Sequence, residues 1–526
     1  MEFNKSWRGC TGKCQFLGMM NSPSLPLESM MQILKHLEND IPSLHSCVLV
    51  NRHWCITSVP RLWFEPFTSK LSENSILSLL QTYFRCLKYD QDKISLSNIL
   101  PQRLVTTNRP LFNYASFLKS LNTRLLGIYV SLWISSATTS KDKENMTKMM
   151  LRALYKLFIE SGAKLDSLTL DVSAGSMDIA VEISLIKQNL NFISNIRKLV
   201  CIFSNFSSSE VLFNLSELWN ELPNICKRIR ILDVDANDMH WTVGQTLVNL
   251  IESQNELSNV IFRSFGSKVT SAVAMLAKKS DTLTSLEFEC IDFSKVSLEG
   301  LEHCTKLETI RFRGGKDCDL ETFRPLIKAK CKIRTLELID ISDYESVLPL
   351  LERVGWSLEH LIINPIKNSL VEALPKYCPY ITYLNISIVS LFISHLMLLV
   401  SGCQLEYLVI KSNSVEDTDI ILNEMGKVVP PSLHYLELSM PLTSNQLDTF
   451  LMDCQAPLKK LVVNSYPRLF LTEGHIDSIK RFAIRKGTLK YVNLGTSGLH
   501  MDFDSLPINE DSCLKFLSLD DIVVKY

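Results

Sequence analysis

The sequence predicts an α/β chain, with a small all-helical module at the amino end followed by a long stack of strand–helix repeats. Three observations carry that expectation. A six-residue pattern of aliphatic residues recurs fourteen times from residue 165 onward. Leucine accounts for 81 of 526 residues, so one residue type is used systematically. Ahead of the pattern, residues 25–63 place apolar side chains at helical spacing instead.

Residues 1–22 read as a flexible tail. Met1 to Met20 lacks the apolar core of a secretory signal. The longest nearly apolar stretch, Leu391 to Val400, contains His395 and is far short of a ~20-residue membrane span. The expectation is an intracellular protein, cytoplasmic or nuclear, away from membranes, whose fifteen cysteines are mostly buried thiols. Cys10 and Cys14 would make half a zinc site with His36, His45 or His53. A structural zinc wants four ligands at recognisable spacing, and a tail accounts for the pair better.

Residues 23–66 form the helical module. Pro26 suits a first helical turn with Ser24 as cap, and Met30, Ile33, Leu34 and Leu37 form an i, i+3, i+4, i+7 stripe. Asn39-Asp40-Ile41-Pro42 breaks that helix. Leu44 to Val50 makes a second apolar segment, Asn51-Arg52-His53-Trp54 follows, and Leu62-Trp63 closes the block. The order Leu25-Pro26, Ile33, Leu37, Val50-x-x-x-Trp54, Leu62-Trp63 resembles an F-box, with a loop before Leu44 one or two residues longer than the family's. The resemblance implies that Leu25, Pro26, Ile33, Leu34, Leu37, Leu44, Val50, Trp54, Leu62 and Trp63 make up a docking face and its supporting core. That face would hold the Skp adaptor, and through it cullin, in an SCF ubiquitin ligase. The other reading of the block is a helical cap that seals the repeat stack.

Residues 67–160 read as a helical connector with possible degenerate first repeats. Ile76, Leu79, Leu80, Tyr83, Phe84 and Leu87 make one amphipathic face, and Met146, Met149, Met150, Leu157 and Phe158 another. Asn113 to Leu121 also reads as helical, and the charged Lys141 to Asn145 as a solvated loop.

Residues 161–526 carry the repeat. Its clearest copies are Leu165-Leu168-Leu170, Leu283-Leu286-Phe288, Leu307-Ile310-Phe312, Ile333-Leu336-Leu338, Leu358-Leu361-Ile363, Ile381-Leu384-Ile386, Leu405-Leu408-Ile410, Leu433-Leu436-Leu438, Leu458-Leu461-Val463, Leu489-Val492-Leu494 and Leu514-Leu517-Leu519. Weaker copies start at Ile196, Ile229 and Leu257. The period is about 27 residues, within the ~20–29 of a leucine-rich repeat, which this pattern resembles. Alternating fourth and sixth positions fit a half-buried strand. Val347, Leu350, Leu351 and Val354, like Leu447, Phe450, Leu451 and Cys454, fit the helix between strands. A lone strand–helix unit cannot bury both apolar faces, whereas a stacked solenoid horseshoe can, with strands on its concave wall.

Cys226, Cys304, Cys331, Cys378, Cys403, Cys454 and Cys513 sit one to four residues ahead of a first aliphatic position. They read as small buried spacers and strengthen the likeness to repeats that accompany F-boxes, in the style of large fungal families. The Asn or Cys expected at the ninth position is present in few copies (Asn237, Asn413), so an irregular ladder is expected there. The chain stops seven residues after Leu519, which suggests an open last strand.

Function follows by exclusion and by surface. Lys+Arg 55 balance Asp+Glu 56, which argues against a nucleic-acid track. Gly and Pro together are about 7%, against a usual ~12%, so phosphate loops are not expected. No hydrolase, P-loop, zincin or dinucleotide motif is present, and neither catalysis nor a cofactor is expected. At the third repeat position the later copies give His360, Tyr383, Tyr407, Tyr435, Lys460, Tyr491 and Phe516. His360, the tyrosines and Phe516 read as a target-binding aromatic stripe; the alternative is strand packing. Arg263, Arg311 and Arg313 read as a patch compensated by Glu287, Glu289 and Glu337. The family likeness implies a substrate-recognition subunit that presents an unknown protein for ubiquitination, or else a scaffold that binds partners without ubiquitination.

Overall fold

The computed structural model describes residues 25–37, 40–68, 71–87, 110–138, 142–172, 180–203, 209–235, 242–264, 269–389, 393–464, 472–494 and 515–516. The chain divides into two compact units, Met1–Leu257 and Ser258–Tyr526. Cys10, Cys14, Ser24, Asn237 and Cys513 lie outside the described residues.

The first unit opens with three short helices: α1 (Leu27–His36), α2 (Ile41–Val50) and α3 (Arg52–Leu62). Pro26 is the residue before α1 rather than part of its first turn. Asp40 caps α2 by accepting from the Ser43 N–H at 3.0 Å. Asn51 caps α3 through the His53 and Trp54 N–H groups at 2.9 and 3.0 Å. Such caps satisfy donors that a helix start leaves unpaired. Met30, Leu34, Leu44, Val48, Cys55 and Val59 are the buried apolar side chains of this block.

The connector is helical where its apolar spacing is 3.6, in α4 (Glu73–Cys86) and in Thr123–Ala137 and Lys143–Glu160. The last helix begins inside the charged stretch expected to be a loop. Asn113 to Leu121 is not a helix. It is one 3-10 turn, Tyr114–Phe117, leading into strand β1 (Ser120–Asn122). The reason is a truncated repeat: Leu118 and Leu121 occupy the first and fourth positions and are fully buried. Strands β2 (Ser167–Asp171), β3 (Lys198–Ile202) and β4 (Ile231–Asp235) follow in parallel and in sequence order.

A carbonyl shared between two N–H groups marks each rung. Arg197 and Lys198 share the Asp166 carbonyl at 2.7 and 3.1 Å, and Asp166 and Ser167 share that of Lys119 at 2.8 and 3.0 Å. Lys119 and Ser120 in turn share the carbonyl of Phe64, just past α3, at 2.9 and 3.0 Å. The end of the helical block therefore occupies the rung before β1 and satisfies its edge donors. Trp63 packs edge-on to Tyr83 at 5.2 Å and against Tyr114 at 4.2 Å.

The second unit holds β5 (Asn259–Arg263), β6 (Ser285–Glu289), β7 (Thr309–Arg313), β8 (Thr335–Ile339), β9 (His360–Ile366), β10 (Tyr383–Ile388), β11 (Tyr407–Ser412), β12 (Tyr435–Ser439), β13 (Lys460–Asn464), β14 (Tyr491–Leu494) and β15 (Lys515–Phe516). Neighbours pair in parallel, with equivalent repeat positions facing each other from β5 to β14 except past Ile386, where β10 shifts register against β9. The fourth and sixth rows point inward and are buried, as in Leu286, Ile310, Leu336 and Leu361. The third, fifth and seventh rows point the other way. Each of the two units is a leucine-rich-repeat-like stack of parallel β/α repeats.

Junctions between repeats are stapled by small polar groups. Cys226 and Cys304 donate their thiols to the carbonyls of Ile193 and Leu276 in the preceding repeat, at 3.4 and 3.7 Å. Burial pushes the thiols of Cys226 and Cys378 up to about 12, and those of Cys304 and Cys403 up to about 11. These are structural thiols, inert as nucleophiles. Gln254 takes the cysteine's place in one repeat, bonding the Cys226 and Leu250 carbonyls and the Ile229 N–H at 2.7 to 2.9 Å. In three repeats that carry neither residue a hydroxyl serves. Ser357, Ser432 and Thr488 donate to the carbonyls of Ile333, Leu405 and Leu458 at 2.8, 2.8 and 3.0 Å.

At the eighth position Ser264, Cys290, Gly314 and Asp340 adopt φ of 55°, 54°, 62° and 51°. Each N–H there donates to the seventh-position carbonyl of the next repeat at 2.7 to 2.8 Å. The series is interrupted at Pro365, which has no N–H to give, and the same bond returns from Met440 to the Asn464 carbonyl at 3.1 Å. This backbone ladder stands where a ninth-position asparagine ladder would, and Asn413 is exposed. Between β6 and β7 the chain forms only short 3-10 turns, Phe293–Lys295 and Glu299–His303. Close approach is built in here, since a Cβ on Gly300 would lie 2.6 Å from the Val273 carbonyl oxygen.

At β15 the pairing is Tyr491 with Lys515 and Val492 with Phe516. Phe516 is thus in backbone register with the fourth position of β14 rather than the third. The stripe expected from sequence ends at Tyr491. Residues 517–526, with the expected open end, lie outside the described residues.

Candidate protein-interaction faces

On β5–β8 the outward rows carry six charged side chains. Arg313 forks onto Glu337, with Nε and Nη2 at 2.7 and 2.9 Å from its two oxygens, and also pairs with Glu287. Arg311 lies 3.1 Å from Glu337 and 3.9 Å from Glu287. Arg263 meets Glu289 at 3.1 Å. Glu287 and Glu337 are buried, flanking the two arginines of β7 on either side. Burial lifts the Glu287 carboxyl above its usual range despite the pull of Arg313 and Arg311, while the hydrogen bonds to Glu337 push the Arg313 guanidinium up. The mutual compensation expected from sequence is present.

On β9–β14 the same rows change character. Third-row rings step along the sheet, with His360 to Tyr383 at 5.7 Å, Tyr383 to Tyr407 at 6.1 Å and Tyr407 to Tyr435 at 5.7 Å. The two tyrosine pairs are tilted by 33°. Lys460 caps the series with its ammonium 5.3 Å from the Tyr435 ring centre, an ordinary cation–π distance. Tyr491 pairs with Lys460 across β13 and β14. Strand spacing of ~4.8 Å brings equivalent positions together, so repetition of the sequence alone builds the row.

The rings are not equivalent. Tyr435 donates to Glu437 Oε2 at 2.9 Å, two residues along its own strand. Tyr383 is half-buried and hydrogen-bonded to the Asn385 side chain, with burial pushing its phenol up. Two residues beyond Tyr407 stands Val409, which offers nothing polar. Tyr407 and Tyr491 are the exposed rings, at 39% and 42%. Glu437 also accepts from Ser439 Oγ at 3.2 Å and Asn464 Nδ2 at 3.3 Å.

In the helical module, Leu25, Pro26, Ile33 and Val50 are exposed, the last at 61%. Leu37, Trp54, Leu62 and Trp63 are half-buried. Leu34 and Leu44 are fully buried and can serve a docking face only as its support. Leu62 and Trp63 pack with Phe112, Tyr114 and Phe117 around Val48, Cys55 and Val59. Sequence reasoning missed Leu27, Met31, Ile41, Leu49 and Ile56, which are also exposed. An apolar residue does not announce on which side of a short helix it will lie. Eight exposed large aliphatic side chains within 32 residues are a marked concentration for a chain surface.

Among the described residues, no group of three or more His, Cys, Asp or Glu is placed to hold a metal ion. Among the same residues, no helix is long and apolar enough to cross a membrane. No family model matches the chain, and no curated protein matches its sequence. Among solved structures, the chain is similar to one from the Rad7 and Elc1 complex in yeast. The likeness covers 72% of this chain and 93% of that one, at 12% identity and a TM-score of 0.34. A chain of the TLR13–ssRNA13 complex is similar over 74% of this chain at 16% identity and a TM-score of 0.30, and this chain spans 52% of its length.

Proposed function

We propose that this chain is the substrate-recognition subunit of an SCF-type ubiquitin ligase, without catalytic chemistry of its own. Helices α1–α3 act as an F-box that docks a Skp adaptor, and the outward rows of β9–β14 capture a protein target. The observation that carries the reading is the exposed aliphatic surface of α1–α3 on a block tied to the sheet through Phe64. A helical cap with no partner has no use for Leu27, Met31, Ile33, Ile41, Leu49, Val50 and Ile56 in water. The tie at Phe64 and the ring packing of Trp63 fix the helical block against β1 and the connector. Acceleration is then positional, because the target lysine is kept at high effective concentration near the charged enzyme.

The test is capture of a purified Skp-type adaptor by the full chain carrying Ile33→Asp and Val50→Asp. Both positions are exposed, so the variant should fold and lose the adaptor. Recovery equal to the unmodified chain would remove the assignment. Replacing Tyr383, Tyr407 and Tyr435 with Ala should abolish target capture and leave adaptor binding intact. Ubiquitination of a captured partner in a reconstituted system separates a ligase subunit from a non-ubiquitinating scaffold.

A further inference from the structure

Among the donors of β9–β14 that the internal contacts leave without a partner, three lie together on the adjacent strands β10 and β11. Tyr383 is held by Asn385 and Tyr435 by Glu437. Ser439 donates to Glu437, and Asn464 donates to both. Among the described residues, the hydroxyls of Ser387 and Tyr407 and the ammonium of Lys411 have no such partner. Ser387 and Lys411 face each other across β10 and β11, about 4.8 Å apart along the hydrogen-bonding direction. Tyr407, Val409 and Lys411 lie on one face of β11. Val409 is buried between them, and Lys411 is exposed.

The surroundings set the sign. Glu437 is the only carboxylate in the third, fifth and seventh rows of β9–β14, and three donors already occupy it. Around Ser387, Tyr407 and Lys411 the patch thus offers donors and positive charge with no free carboxylate to complement them. One ammonium and two neutral hydroxyls balance a single negative charge, and a phosphate would bring nearly two. The Tyr407 ring, flanked by two tethered rings, adds an apolar wall against the stem of an incoming side chain.

We infer that Ser387, Tyr407 and Lys411 form the specificity pocket of the target-binding face and take the carboxylate of an Asp or Glu side chain in the target protein. This rests on the proposed role of that face. The probe is a displayed library of random 12-residue peptides selected on the full chain, with enriched peptides measured by fluorescence anisotropy. Enriched peptides should share one acidic position. Lys411→Glu should weaken them at least tenfold, Tyr407→Phe about threefold, and Lys411→Arg little.

Peptides that need the tyrosines but share no acid, or that bind Lys411→Glu equally well, overturn the pocket and leave the face standing. A phosphoserine at the acidic position that binds more tightly overturns the carboxylate assignment. Peptides indifferent to the triple tyrosine-to-alanine variant, or no enrichment at all, overturn both pocket and face. All three side chains point outward, and an unchanged urea midpoint verifies that each variant folds.

Discussion

Strands β5–β8 and β9–β14 share one sheet, one register and one repeat, yet their outward rows solve opposite problems. In the first set each charge is met by its neighbour, and Glu287 and Glu337 are buried beneath the arginines that pair with them. Nothing there asks for a partner. In the second set aromatic rings replace charges, carboxylates dwindle to one, and the donors of Ser387, Tyr407 and Lys411 remain unspent. The same scaffold thus carries one region that stabilises itself and one that is available to others. The contrast between the two faces is made by the residues at three positions per repeat.

The largest expected effect lies in the self-satisfied half. Arg313→Ala removes the fork on Glu337 and the pair with Glu287, leaving two buried carboxylates with Arg311 alone. Breaking a buried pair from one side costs about 3 kcal/mol, whereas Tyr407→Ala on the exposed row should cost under about 1 kcal/mol. Urea unfolding of the two variants checks the contrast, and equal midpoints would erase it.

Next comes Gly355→Ala, where a new Cβ would press on the Tyr377 carbonyl and lie 2.7 Å from Cys378 Sγ. The expected loss is about 2 kcal/mol, read in the same assay. Ser357→Ala tests the hydroxyl staples and should cost about 1 kcal/mol by stranding the Ile333 carbonyl. No loss would show that the staple is idle.

The smallest effect is a pH dependence. The Glu287 carboxyl is raised in the fold, so the native state holds its proton at a pH where the unfolded chain has released it. Its contribution to stability therefore falls as pH rises and recovers as pH drops through the folded value, levelling off below the unfolded one near ~4.3. Between pH 7 and pH 4 the stability of the unmodified chain relative to Glu287→Gln should rise. A difference that is flat or falls towards pH 4 would remove burial as the dominant influence on that group.

Much of this was legible because the repeat carries its own register. All fourteen copies read from sequence contain a strand, and the charged patch and the tyrosine row follow once strands are stacked in order. The failures have separate physical causes. Strand β1 escaped notice because only Leu118 and Leu121 survive of its aliphatic pattern, and Thr123 already opens a helix. Gln254 escaped because an amide reaching three backbone groups has no compositional signature. The left-handed turns at Ser264, Cys290 and Asp340 share no residue type that would announce them in the sequence. Phe516 is displaced because two paired residues at β15 constrain register less than five or six do elsewhere. In α1–α3, spacing found the buried Met30 and Leu34 but put the exposed Ile33 in the same stripe, and it could not say which other apolar side chains face water.

The central claim is that α1–α3 form a docking face for an adaptor. Isothermal titration of a purified Skp-type adaptor into the full chain tests it most directly. The account predicts a one-to-one complex of micromolar affinity or tighter, lost in the Ile33→Asp/Val50→Asp variant with an unchanged unfolding midpoint. No detectable heat with the unmodified chain, or undiminished binding by the folded variant, would contradict it.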